Sequence, residues 1–150
     1  MSRAAVWIAT LGPVGWWPVG SGTLASALVA AAWWWASPSR WITLTAAAAI
    51  AVLGTLAASV ADRELGSDDG RIVIDEAAGM TLALAGVPVG VTGAVVAFAL
   101  FRLLDIGKPP PISWSERVPG GAGVMLDDMV AGGVAAMLGT IAFGFWPTLH

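Results

Sequence analysis

The stretch that decides the fold is residues 41–61, WITLTAAAAIAVLGTLAASVA, which contains no charged residue. Residues 129–149, MVAGGVAAMLGTIAFGFWPTL, form a second uncharged run near the other end of the chain. A helix needs about 20 mainly apolar residues to cross the hydrocarbon core of a bilayer. Both runs reach that length, so each of them predicts a membrane-spanning helix.

The composition of the whole chain agrees with a membrane location. Of its 150 residues, 57% are hydrophobic and only 11% are charged, whereas soluble domains carry about 25% charged residues. This composition excludes a free cytosolic enzyme and a disordered tail. The net charge of −3 also provides no basic surface for a nucleic acid. The length predicts a single domain over residues 1–150.

The charged residues are concentrated in two blocks. All of them except Arg3 and Arg40 fall within residues 62–76 or residues 102–128. Cytoplasmic segments of membrane proteins carry an excess of Lys and Arg, and most of the basic residues lie in these blocks. We therefore expect both blocks to face the cytoplasm.

A shorter apolar stretch, residues 22–36, runs into Ser-Pro-Ser at residues 37–39. Proline lacks an N–H donor and restricts the residue before it, so this tripeptide predicts the end of a helix. We expect a helical hairpin over residues 22–61 with its tip at Arg40. Tryptophans beside the tip are typical of the membrane–water boundary, although they would also fill a helix–helix interface. They are Trp33, Trp34, Trp35 and Trp41.

Residues 77–101 are too few for two complete spans, which need about 40 residues. Their middle, GVPVG at residues 86–90, is typical of a break between helices. We expect a re-entrant or shallow helical hairpin that keeps both charged blocks on one face, with a single kinked span as the alternative. Broken backbone at this depth must be buried in protein. The predicted fold is an all-α, polytopic membrane bundle that contains such a hairpin.

Two acid pairs stand where charged blocks meet apolar runs, in VIDEAAG at residues 73–79 and MLDDMVA at residues 125–131. We expect each pair at a helix N-terminus, where the macrodipole favours negative charge. Adjacent helical residues point about 100° apart, so one acid of each pair should face the site. Two facing pairs would offer only oxygen ligands, which Mg²⁺ and Mn²⁺ prefer. For either pair alone, ordinary helix capping is the alternative.

Two further segments contain groups that suit an anion. Arg102, Asp105 and Lys108 recur at three-residue spacing, which places them on one helix face. They would hold an anionic substrate beside a metal, or form a structural ladder of ion pairs. The segment PVGSGTLAS at residues 18–26 opens a helix whose free N–H groups and hydroxyls would cradle a phosphate. Simple helix capping by Ser21 or Thr23 is the alternative there.

Taken together, these motifs resemble the phosphatidylglycerophosphatase A family of bacterial membrane lipid phosphatases. The matching pieces are GSGTLAS at 20–26, IDE at 74–76 with Gly79, FR at 101–102 with Asp105, KP at 108–109, PI at 111–112, GG at 120–121, GVM at 123–125, DD at 127–128 and AG at 131–132. The resemblance implies an all-α enzyme of the bacterial cytoplasmic membrane. It also implies Mg²⁺-dependent hydrolysis of phosphatidylglycerophosphate to phosphatidylglycerol and inorganic phosphate.

The residue types narrow the mechanism. The sequence has no cysteine, its one histidine is His150, and no Asp-x-Asp occurs, so the usual covalent phosphatase nucleophiles are missing. Water activated by a metal ion remains. The predicted ligands of one or two Mg²⁺ ions are Asp75, Glu76, Asp127 and Asp128, with Asp105 as a further ligand or the base. The predicted phosphate-binding residues are Arg102 and Lys108, with Ser21, Gly22, Thr23 and Ser26 as a secondary set.

Two other functions are alternatives. A CDP-alcohol phosphotransferase also uses aspartates and metal at the membrane edge, and Asp69-Gly70 matches part of its signature. The Ala-Arg that should follow is missing from this chain. A small non-enzymatic, ion-carrying membrane subunit would instead place its acids in the middle of apolar helices, whereas here we expect them at helix ends.

Overall fold

The computed structural model describes residues 2–66, 69–115, 118 and 121–144. Within these residues the chain forms seven helices and no strand, which confirms the predicted all-α class. The helices are α1 (Ser2–Ala9), α2 (Ser21–Ala36), α3 (Arg40–Leu65), α4 (Ile74–Leu84), α5 (Val91–Gly107), α6 (Ile112–Ser115) and α7 (Gly121–Gly144), with a 3₁₀ turn at Val14–Trp16. Several residues used in the sequence analysis lie outside the described residues, namely Asp68, Glu116, Arg117, Gly120 and 145–150.

Two of the described helices, Arg40–Leu65 and Ala122–Gly144, are long and apolar enough to cross a membrane. They correspond to the two runs that the sequence singles out. The second helix begins earlier than predicted, since α7 starts at Gly121. The expectation that Asp127 and Asp128 stand at a helix N-terminus is therefore wrong, because the glycine-rich segment before them is itself helical.

The predicted break between α2 and α3 is confirmed. Helix α2 ends at Ala36 because Ser37 adopts a left-handed conformation (φ 46°) and is followed by proline. The next helix begins at Arg40, and the Ser39 hydroxyl accepts a hydrogen bond of 3.4 Å from the Ile42 N–H. Beyond this tip, both helices pack mainly against α4 and not against each other.

The tryptophans at this tip have different surroundings. Trp35 and Trp41 are 87% and 77% exposed, and Trp34 is half exposed. Trp33 is buried, and its indole N–H donates to the Thr43 hydroxyl at 3.0 Å. The interface role considered for these tryptophans therefore applies to Trp33, whereas the other three rings point outward.

The segment predicted as a shallow hairpin forms two helices in contact with each other, α4 and α5, separated at residues 85–90. Helix α4 is buried on nearly all sides, since nine of its eleven residues lie inside the protein. Eleven helical residues rise about 16 Å, which is too short to cross a bilayer. It is enclosed by α2, α3, α5 and α7, as buried backbone at membrane depth requires.

The backbones of α4 and α7 touch where they cross. A Cβ atom on Gly132 would overlap the carbonyl oxygen of Gly79, and one on Gly79 would lie 2.5 Å from the carbonyl oxygen of Asp128. Beside this contact, Ala131 and Ala135 are fully buried. Small residues allow helices to approach this closely. The crossing fixes the N-terminal turn of α4 beside the acidic part of α7.

We predict that Gly132→Ala lowers the free energy of unfolding by about 1–3 kcal/mol, because the added methyl group overpacks the crossing. The matched control is Gly133→Ala, whose Cβ would lie at an ordinary 3.8 Å from Leu82. Thermal unfolding of both variants in detergent micelles measures the difference. Equal stability of the two variants would contradict the close crossing.

Candidate functional site

Three carboxylates from α4 and α7 meet at this crossing. One oxygen from each of Asp75, Glu76 and Asp128 lies within 4.8 Å of the other two. Asp75 and Asp128 are buried, and Glu76 is partly buried. Both acids of the first predicted pair therefore reach the cluster, where we expected only one. Glu76 reaches the shared point although it leaves the helix in another direction, because its side chain is longer.

The cluster lacks positive charge of its own. Within the described part of the chain, Asp75 Oδ1, Glu76 Oε2 and Asp128 Oδ2 are buried and accept no hydrogen bond. An unpaired carboxylate oxygen away from water is strongly unfavourable. Three carboxylates around one point, each with an oxygen of this kind, are the donor set that a hard divalent cation takes. The residues present therefore fit a metal ion of this class.

The pKa values of α4 point the same way. Burial raises the pKa of Asp75 well above its usual range, and the neighbouring charges of Glu76 and Asp128 raise it further. Burial likewise raises the pKa of Glu76. Crowded acids in a low-dielectric site resist ionisation unless a positive charge joins them. A cation would supply that charge.

The remaining predicted acids each hold a basic side chain. Asp127 Oδ2 accepts a hydrogen bond of 2.8 Å from Lys108 Nζ, and its Oδ1 accepts the Asp128 N–H at 3.1 Å. Asp105 forms a salt bridge with Arg102. These two acids therefore stand beside the cluster as partners of cations, and the cluster itself is formed by the other three.

A cleft of about 160 Å³ opens onto these groups. A water molecule takes about 30 Å³ in the liquid, so the cleft holds a few groups of that size. All five acids predicted from the sequence line it, together with Lys108. Its described lining is Asp69, Gly70, Ile72, Asp75, Glu76, Asp105, Lys108, Val124, Asp127 and Asp128.

The predicted phosphate-binding residues on α2 are less directly placed. Thr23 Oγ1 accepts a hydrogen bond of 3.1 Å from Arg102 Nη2. The Ser21 hydroxyl donates to the Gly70 carbonyl oxygen, and Ser26 donates back to its own helix, both at 2.8 Å. In the described chain no side chain caps the start of α2, so capping by Ser21 or Thr23 is not what these hydroxyls do.

The contact between Gly22 and Glu76 explains why this position of the GSGT segment is a glycine. A Cβ atom at this position would overlap Oε1 of Glu76. The missing side chain leaves room for the carboxylate that α4 directs toward the cluster. In this way α2 sets the position of a candidate ligand without contributing one.

The sequence analysis did not single out Asp69 as a site residue. Its carboxylate accepts hydrogen bonds of 2.7 and 2.6 Å from Arg71 Nε and Nη2, and it lines the cleft. These hydrogen bonds lower the pKa of Asp69. The Arg71 guanidinium also lies 4.6 Å from the centre of the Trp16 ring. The only local signal was an Asp-Gly turn followed by Arg, which is common in loops.

The fold and the site together define a class: an all-helical protein with a buried acidic centre of the metal-binding type, bordered by basic side chains. The sequence profile of the phosphatidylglycerophosphatase A family matches residues 7–143. The chain belongs to this family, as the resemblance in its motifs predicted.

Individual relatives match a smaller part of the chain. The protein named phosphatidylglycerophosphatase A in Escherichia coli is 44% identical over 82 residues, 53% of this chain and 48% of that protein. Its namesake in Haemophilus influenzae is 40% identical over 81 residues, 53% of this chain and 49% of that protein. This chain thus spans about half the length of both relatives. No solved structure matches the chain.

A third relative has a different name. A Bacteroides thetaiotaomicron protein with the provisional name phosphatidylinositol-3-phosphatase is 39% identical over 102 residues, which is 63% of this chain and 64% of that protein. The names of all three relatives refer to phosphate monoesters carried on a phospholipid.

We predict that Gly22→Ala weakens divalent-cation binding about tenfold or more, the effect typical of disturbing a group that orients a metal ligand. The added methyl group displaces the Glu76 carboxylate. Calorimetric titration of Mg²⁺ or Mn²⁺ into the detergent-solubilised protein measures the change. Gly144→Ala is the control, since nothing lies within 4 Å of a Cβ there. Unchanged affinity in Gly22→Ala would show that Glu76 is not a ligand.

Proposed function

We propose that this chain is a Mg²⁺-dependent lipid phosphatase. It hydrolyses the terminal phosphate monoester of phosphatidylglycerophosphate and releases phosphatidylglycerol and inorganic phosphate. The observation that carries the proposal is the cluster of Asp75, Glu76 and Asp128, whose buried oxygens are unpartnered in the described chain. Membership of the phosphatidylglycerophosphatase A family supports the substrate.

Asp75, Glu76 and Asp128 would hold the cation. When bound there, a divalent ion supplies positive charge for the phosphate and lowers the pKa of water. The chain contributes a fixed, water-poor arrangement of acids, which the contact between α4 and α7 holds in place. Such preorganisation spares the rearrangement that the same groups would need in water.

Lys108 and Arg102 would bind the substrate phosphate. Each of them is held by an acid, Asp127 and Asp105 respectively. A phosphate monoester is a stronger competitor for a cation than a single carboxylate, because it offers up to two charges and three oxygens. An arriving phosphate would take over these two cations and release their acids.

Asp105 would then act as the general base. Once its salt bridge with Arg102 opens, its carboxylate accepts the proton of the water that attacks phosphorus. The bond between phosphorus and the ester oxygen breaks, and that oxygen leaves with the lipid after taking up a proton from water, while Asp105 returns the proton that it accepted to water. Asp127 is the second acid released, and it would serve as a further ligand beside Asp128.

The chain would work in the bacterial cytoplasmic membrane as a multi-pass protein. Two of its helices are long and apolar enough to cross a bilayer. Arg63, Arg71, Arg102 and Lys108 all lie toward the acidic end of the bundle, whereas Arg40 begins α3 at the opposite tip. The excess of positive charge at the acidic end favours a site that faces the cytoplasm.

We predict that Asp75→Asn and Asp128→Asn each lower phosphate release by about 100-fold or more, since each removes a charge from the cation site. The assay uses phosphatidylglycerophosphate in detergent with Mg²⁺, and a chelator should abolish turnover. The matched control is Glu64→Gln on the exposed end of α3, which should leave activity unchanged. Full turnover in either Asp variant, or in the chelator, would refute the metal assignment.

Two other substrates separate the remaining functions. Faster release of phosphate from phosphatidylinositol 3-phosphate would assign the chain to that lipid, as the name of the Bacteroides relative suggests. Release of CMP from CDP-diacylglycerol would identify a phosphotransferase. An ion-carrying subunit would release no product from any of these lipids, although it would still bind the cation.

A further inference from the structure

An apolar groove runs between α2 and α5. Its volume is about 230 Å³. The lining relevant here is Ala27, Ala31 and Trp34 from α2, and Val91, Val95 and Phe98 from α5. Most of these side chains are exposed. The groove is therefore open to whatever surrounds the protein.

One end of the groove meets the candidate active site. Thr23 precedes Ala27 by four residues, and Phe98 precedes Arg102 by four residues, so each pair shares a helix face. The hydrogen bond of 3.1 Å between Arg102 and Thr23 thus crosses the end of the groove. Arg102 also pairs with Asp105 in the acid-lined cleft. Arg102 therefore connects the residue that precedes the groove with an acid that lines the cleft.

The size of the groove suits one hydrocarbon chain. The part of α2 that lines the groove, from Ala27 to Trp34, rises about 10 Å, and Thr23 lies about 6 Å beyond it. The whole distance from Thr23 to Trp34 is close to one leaflet's share of a hydrocarbon core of about 30 Å. The volume corresponds to about eight water-sized groups, too little for a helix about 10 Å across. Neither residues 27–34 nor residues 91–98 contain a charge.

We propose that this groove binds one acyl chain of the phospholipid whose phosphate reaches the acid cluster. The inference rests on the proposed function, because it assigns a place to the lipid part of that substrate. Apolar tails gain little by leaving lipid for protein, so the groove acts by alignment. A chain lying in it brings the headgroup to Arg102, which donates a hydrogen bond to Thr23 and forms a salt bridge with Asp105 of the cleft.

Filling the groove tests this assignment. The variant is Ala31→Phe, since Ala31 lies about 12 Å along α2 from Thr23. The control is Ala32→Phe on the neighbouring exposed face. We expect Ala31→Phe to lower kcat/KM for long-chain phosphatidylglycerophosphate about tenfold or more, as misalignment of a substrate does. The dibutyryl analogue, whose chains end before Ala31, should be unaffected, and the control should change neither value.

Two results of this assay would overturn the proposal. Turnover of the long-chain lipid that is unchanged by Ala31→Phe would show that the groove is not used. An equal loss for the long-chain and dibutyryl substrates would show that the substitution acts on the fold or on the catalytic groups. A loss confined to the long-chain lipid supports the groove.

Cross-linking provides a measurement that does not depend on turnover. A phospholipid with a photoreactive diazirine in mid-chain should label residues 27–34 and 91–98 of the unmodified protein more strongly than the exposed face of α3 at residues 52–56. Ala31→Phe should reduce that labelling several-fold. Labelling of the groove without phosphate release would overturn the proposed function and keep the groove. Phosphate release without preferential labelling of the groove would support the proposed function and overturn the assignment of the groove.

Discussion

The constraint on which the structure depends is the enclosure of like charges between α4 and α7. Asp75 and Asp128 are both buried, and in a low dielectric their repulsion is strong. The approach of the two backbones at Gly79 and Gly132 holds them there. The favourable packing of the crossing offsets part of this repulsion, and the cation proposed for this site would offset more of it. The other helices serve the same arrangement by covering α4, which is too short to stand alone.

Much of the fold could be predicted from local signals. Proline at position 38 and the GVPVG segment at residues 86–90 end helices through their own backbone chemistry, and the structure breaks at both places. The length of the two long apolar runs was enough to predict a long helix in each of them. The start of α7 was missed because a glycine-rich segment is helical here through packing, which overrides its weak intrinsic preference.

The sequence predicted which acids line the cleft, but it did not predict which of them lie next to one another. The acids were visible as rare charges beside apolar runs, and all five line one cleft. Which of them would meet depends on the crossing of α4 and α7, which no spacing along the chain encodes. Asp69 was missed for the same reason, because the loop that carries it reaches the cleft only in the folded chain. The contacts of Arg102 with Thr23 and of Lys108 with Asp127 likewise join separate helices, whereas the pairing of Arg102 with Asp105 follows from their spacing.

The shortness of α4 has a consequence for how the protein is made. Its eleven residues carry two acids and leave the ribosome before the helix at Gly121–Gly144 exists. Acids are unfavourable in lipid, so in the membrane protein proposed above α4 would have no stable place until its later partner has been synthesised. Helix α7 would therefore have to be inserted before α4 can reach its final position. Premature termination of translation ahead of residue 121 would leave a product that quality-control proteases remove.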